Sequence, residues 1–141
     1  MEKEFKTEND IKKEYLNQYQ KSVRREKYIL DEIQRLRADK MFPSVVNDGM
    51  PKGNKSSDLS DFMVLLDEEI EKLKNERLEK VKRYSDISRK IKAMENDNEK
   101  EVLTLRYING LKWEEICIRM NYSWKQIHRI HSSALSNFNM T

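Results

Sequence analysis

Both prolines and two of the three glycines of this 141-residue chain fall inside one stretch, residues 41–57. Proline lacks the N–H that a helix interior needs, and glycine costs about 1 kcal/mol there relative to alanine. Elsewhere the backbone meets almost no helix breaker. Charged side chains make up 38% of the residues, a composition of long solvated helices rather than sheets. The expected fold is therefore all-α. A long antiparallel, coiled-coil-like helical hairpin spans residues 1–97 and turns at a loop over about 41–57. A compact helical part, residues 98–141, follows.

Periodicity supports the two long helices. From about Glu8 to Asp39, apolar residues recur at Ile11, Tyr15, Tyr19, Val23, Leu30 and Ile33, largely at three- and four-residue steps. A second helix is expected to start near Ser57 or Asp58, both good cap residues. Its stripe runs through Leu59, Phe62, Met63, Leu66, Ile70 and Leu73, and then Val81, Tyr84, Ile87, Ile91 and Met94. Asp97 and Asn98 mark its end and the cap of the next helix. The mean hydropathy of −0.95 leaves little apolar surface to bury, so a thin core or self-association is expected. One hairpin seam is too little to cover both stripes, which makes a homodimer the expected assembly. The basic loop Lys52-Gly53-Asn54-Lys55 reads as a solvated linker.

Several function classes find no support. Cys117 stands alone, so no disulfide framework or cysteine metal site is expected. His128 and His131 have no partnering ligands nearby, and no cofactor site is read. No apolar run reaches membrane-spanning length, and Met1-Glu2-Lys3-Glu4-Phe5 lacks a signal peptide's apolar core. The expected location is the cytoplasm of a bacterial host, at the nucleoid. No nucleophile stands with a base and no glycine motif cradles phosphate, so the chain is not expected to be an enzyme. The carboxylates Glu114 and Glu115 lie at a helix start, where negative charge is favoured anyway.

The C-terminal part carries the recognition pattern. Val102, Leu103, Leu105 and Tyr107 give one short helix its apolar side, and Gly110 supplies a left-handed stop. Lys112 to Met120 forms the next helix, with Trp113, Ile116, Cys117 and Met120 inward. Asn121 occupies the turn, where asparagine tolerates positive φ. Tyr122 fills the gap between helices, and Ser123 with Gln126 completes a capping box. In the last helix Ile127, Ile130, Ala134 and Leu135 face inward. Trp124, Lys125, His128 and Arg129 then project near the helix N-terminus, the end that enters the major groove in helix-turn-helix proteins. Residues 99–141 carry six basic and four acidic side chains, a mild balance that is compatible with DNA.

Residues Leu105-Arg106-Tyr107-Ile108-Asn109-Gly110-Leu111-x-Trp113-Glu114-Glu115-Ile116, then Tyr122-Ser123 and Arg129-Ile130-His131-x-x-Ala134-Leu135, resemble region 4 of sigma-70-type factors. More closely, the chain resembles the ArpU/RinA-like late transcription regulators of phages and mobile elements. The stretch Met50-Pro51-Lys52-Gly53-x-x-Ser56-Ser57-Asp58 is similar to a loop in that family, so the likeness spans nearly the whole chain. It implies a C-terminal sigma-region-4-like helix-turn-helix, binding to double-stranded DNA, activation of phage or element genes, and contact with host RNA polymerase. The expected DNA-contacting set is Lys112, Ser123, Trp124, Lys125, Gln126, His128, Arg129 and Ser132. Lys112 stands where the family often has Ser or Thr, Asn121 where Gly is common and Cys117 where Ala is. Trp124 replaces a common arginine, so the family's site preference does not transfer. No pattern of sigma regions 2 or 3 is present, and promoter melting is not expected.

Blander readings stand beside these. His128 and His131 are also ordinary surface and helix-packing histidines, Gln126 is a cap before it is a base reader, and Trp124 packs as readily as it stacks on DNA. Two other functions fit the pattern: a small terminase-like DNA-packaging adaptor, and a protein that binds polymerase or sigma factor without touching DNA.

Overall fold

The computed structural model describes residues 5–41 and 55–141. Among these there are five α-helices, one π-helical turn and no strand. The helices are α1 (Glu8–Met41), α2 (Lys55–Lys92), α3 (Asp97–Leu103), α4 (Trp113–Met120) and α5 (Trp124–Asn137), with the π turn at Thr104–Ile108. The expected loop, including Pro43, Gly49, Pro51 and Gly53, lies outside the described residues. The second long helix begins at Lys55, slightly before the cap residues expected from sequence.

Packing divides the chain into two compact units: residues up to Lys21 with Lys80–Thr141, and Ser22–Glu79. This division differs from the boundary at residue 97 expected from sequence. The reason is that the first turns of α1 and the last turns of α2 share a core with the C-terminal helices.

In the first unit that core joins Leu16 of α1, Ile87 and Ile91 of α2, Met94, Leu103, Tyr107, and Ala134, Leu135 and Phe138 at the C-terminal end. Full burial of an apolar side chain of this size contributes roughly 1.5–3 kcal/mol relative to exposure. Tyr15 meets Lys90 and Tyr19 meets Tyr84, so rising numbers on α1 meet falling numbers on α2 and the two segments run antiparallel. The expected stripe on α1 is rotated: Ile11 is exposed, whereas Leu16 is fully buried and Lys12 nearly so. A second cluster, Val102, Leu105, Ile116 and Ile127, is surrounded by Leu111, Trp113, Cys117, Met120, Tyr122 and Ile130.

The stretch from α3 to α4 shows how local chemistry sets these clusters. Asn96, not Asp97 or Asn98, caps α3, its side chain accepting from the Glu99 N–H at 3.0 Å. After Leu103 the helix widens, and the Asn109 N–H reaches back five residues to the Thr104 carbonyl. Leu103 and Tyr107 face one cluster while Val102 and Leu105 face the other. The Gln20 amide donates to the Tyr107 and Ile108 carbonyls, orphans of the widened turn. Gly110 sits at φ +70°, and a Cβ there would meet the Gln20 side chain at 3.0 Å. Only glycine fits both demands.

Among the described residues of the second unit, Ser22, Ile33 and Leu73 are buried, and Val23, Leu30, Leu66 and Ile70 are half-buried. Arg77 pairs with Glu26 at 3.7 Å. Leu59 and Met63, expected on the buried stripe, are exposed, as are Tyr28, Val64, Leu65 and Leu78.

Lys112 has the extended backbone of an N-cap, φ −71° and ψ 155°. Its N–H donates to Glu115 at 3.2 Å, the returning half of a capping box. An ammonium has no acceptor to offer the Glu115 N–H in exchange. Lys112→Thr supplies one without disturbing the backbone. It is expected to stabilise the fold by about 1 kcal/mol, read as a higher urea midpoint with unchanged slope. An unchanged or lowered midpoint would show that this position gains nothing from a cap.

Candidate functional site

Helix α5 is fixed at both ends. At its start, Ser123 Oγ accepts from the Gln126 N–H at 3.2 Å, and Gln126 Oε1 accepts from the Ser123 N–H at 2.9 Å. Asn121, at φ 57°, closes the preceding turn, and the Tyr122 hydroxyl receives the Asn98 amide. At its far end, the buried Lys12 ammonium donates to the Leu135 carbonyl at 2.8 Å and the Ser136 carbonyl at 3.3 Å. A cation there satisfies orphan carbonyls and complements the helix dipole. On one flank, buried Glu99 accepts from Ser133 at 3.0 Å and from Asn137 at 2.6 Å.

The inner face of α5 carries Ile127, Ala134 and Leu135, all buried, with Ile130 half-buried. The outer face carries Lys125, Arg129 and Ser132, exposed at four- and three-residue steps and therefore on one side of the helix. Ser123 and Gln126 are exposed as well, and so is Lys112 at the start of α4. No acidic residue lies in the first turn of α5, and Asp and Glu are absent from the chain after Glu115. No carboxylate of α5 itself therefore offsets the positive end of the helix.

A stack of planar groups borders this face. The Arg106 guanidinium lies 4.6 Å over Trp113, whose ring is 4.8 Å from His128, whose ring is 4.4 Å from Trp124. Of the expected contact residues, His128 is thus half-buried between two indoles, and its Nε2 is buried without a hydrogen-bond partner in the structure. Trp124 forms the outer end of the stack and is 52% exposed, enough to present a ring edge and part of a face. Lys112, Ser123, Trp124, Lys125, Gln126, Arg129 and Ser132 all reach solvent.

His131 is buried, edge-on to Trp113 and stacked on Tyr107, whose hydroxyl shares a 2.8 Å hydrogen bond with its Nε2. Burial lowers its pKa from 6.5 to about 4, and Lys13, His128 and Arg106 add to the shift. Burial likewise pushes Tyr107 up to about 12, opposed in part by Arg106. His131 is therefore a neutral wedge from α5 against the π turn and α4.

Three structural residues escaped sequence reasoning. Lys12 and Gln20 each satisfy a helix end from another helix, and a charge or amide pattern does not announce that. Phe138 lies just past α5 yet is 1% exposed. Its aromatic character in a polar tail was the available signal. Among the described residues, no cluster of three or more His, Cys, Asp or Glu could hold a metal, and no helix is long and apolar enough to cross a membrane.

Fold and site together define an all-helical protein that presents one short helix with a basic and aromatic outer face. A family of proteins of unknown function, DUF1492, matches residues 35–139, and the chain belongs to that family. No curated protein and no solved structure matches it.

The buried histidine gives a pH signature. The unfolded chain binds a proton on His131 below about pH 6.5 and the folded chain only near pH 4. The stability it contributes is full above pH 6.5 and is withdrawn as the pH falls towards 4. His131→Gln should flatten the stability-versus-pH curve across that window in urea titrations. Parallel curves for the two proteins would show that His131 is not the titrating wedge.

Proposed function

We propose that the chain is a sequence-specific DNA-binding transcription regulator, an activator of phage or mobile-element genes, that reads the major groove with α5. In this reading α4 and α5 form a sigma-region-4-like helix-turn-helix, with α3 packed beside it, and α1 and α2 form a coiled-coil-like hairpin that carries it. The observation that carries the reading is the outer face of α5. Lys125, Arg129 and Ser132 line one exposed side, next to a capped helix N-terminus with no acidic residue in its first turn.

Each part has a role that its chemistry supports. The Arg129 guanidinium donates in bidentate fashion to a guanine edge, and Lys125 donates to a neighbouring base or phosphate. Ser123, the amino group of Gln126 and the first N–H groups of α5 suit a phosphate. Trp124 offers its exposed ring to a sugar or a thymine methyl. His128 acts behind it, holding the indole against Trp113. Lys112 meets the backbone from the start of α4. The assignment to phage or element genes, and contact with RNA polymerase, rest on the sequence resemblance.

Selection from random DNA tests this without a defined operator. Full-length protein is used to select duplexes from a random pool, and the enriched duplex is then titrated with wild type and Arg129→Ala. The wild type should prefer that duplex over scrambled DNA, with affinity falling as salt rises. Arg129→Ala should lose about 1–3 kcal/mol of that preference while keeping helical content and most of its binding to scrambled DNA. Failure to enrich any sequence, or an Arg129→Ala variant with undiminished preference, contradicts the assignment.

A further inference from the structure

Helix α2 carries two exposed apolar patches of opposite charge. Between residues 59 and 71 lie Asp61, Asp67, Glu68, Glu69 and Glu71 and no Lys or Arg. In that same stretch Leu59, Met63, Val64 and Leu65 are 45–59% exposed. Between residues 80 and 92 the balance is reversed: Lys80, Lys82, Arg83, Arg89, Lys90 and Lys92 stand against a single acid, Asp86. Val81, Tyr84, Ser85, Ser88, Arg89 and Lys92 line an open groove of about 470 Å³ there, and Val81 is 63% exposed. The two serines leave room for a helix to approach, and the cations stand at the groove's far end.

Apolar surface of this kind is usually covered by a partner. The acidic segment cannot fill the basic groove of its own chain. Glu68 and Lys82 are on one helix, and 14 residues at 1.5 Å each keep them about 21 Å apart. A parallel second copy would set acid against acid. We propose that the acidic, apolar segment Leu59–Glu71 of one copy docks antiparallel on the basic groove Val81–Lys92 of a second copy, and reciprocally. The contact is isologous, so one pairing brings both segments of each chain against the other. Leu59, Met63 and Val81 share one side of α2, being 4 and 18 residues apart, so a foreign acidic helix would fill the groove but leave Leu59 and Met63 in water. The inference stands on α2 alone and does not depend on DNA binding.

Two measurements on the full chain test it. Sedimentation equilibrium should give twice the 17.0 kDa chain mass, with association weakening as salt screens the charges. Zero-length carbodiimide coupling of that dimer, read by mass spectrometry, should join Glu68 or Glu71 to Lys82, or Asp61 to Lys92. Such a link on one helix is necessarily between chains. Glu68→Lys with Glu71→Lys, and separately Lys82→Glu, should each weaken self-association by on the order of tenfold or more, and mixing the two variants should restore it. These residues are exposed, and unchanged helical content verifies the fold. A monomer at every concentration, a dimer linked only through other segments, or a mixture that fails to associate overturns the proposal.

Discussion

Helix α5 is the element around which this protein is organised, and its position rests on a buried lysine. The Lys12 ammonium sits in the core of the first unit and donates to the last carbonyls of α5. A charge so placed is tolerable because the helix end supplies oxygens for it and the Glu8 carboxylate stands 3.5 Å away. Leu16, one turn further along α1, and Phe138, just beyond α5, seal the same junction with apolar area. The N-terminal helix thereby fixes the C-terminal one, although 123 residues separate Lys12 from Leu135.

The angle between α4 and α5 depends on a different device. Trp113 enters between His128 and His131, which are three residues apart and so on one side of α5. Arg106 covers its other side and reaches the Leu111 carbonyl. The two imidazoles pack here as aromatic spacers, and the Tyr107 hydroxyl satisfies the one that is most deeply buried. The outer side of α5 is left for solvent or a ligand. The inner side is shaped by buried side chains packed against the neighbouring helices.

Much of this was legible in the sequence. Local chemistry dictated Gly110, Asn121 and the Ser123–Gln126 box, because each answers to backbone conformation within a few residues. The long helices were legible because proline and glycine are confined to one stretch. What escaped is nonlocal. The stripe on α1 turns towards Leu16 instead of Ile11 because the C-terminal helices, not α2 alone, cover it. Asn96 caps α3 because α2 stops at Lys92, earlier than its apolar spacing implied. The widened turn at Thr104–Ile108 follows from having to serve two clusters at once, with Gln20 placed to donate to its free carbonyls. At the site, the exposure of Lys125 and Arg129 agreed with helical spacing. The burial of His128 between two tryptophans did not follow from spacing, since Trp113 lies on another helix.

The central claim is that the outer face of α5 is the surface that meets DNA. The most direct measurement is a backbone amide NMR titration of the full chain with a short duplex at low salt. The account predicts that shifts concentrate on Ser123–Ser132 and on Lys112. Shifts centred on the basic segment of α2, or no shifts at all, would contradict it.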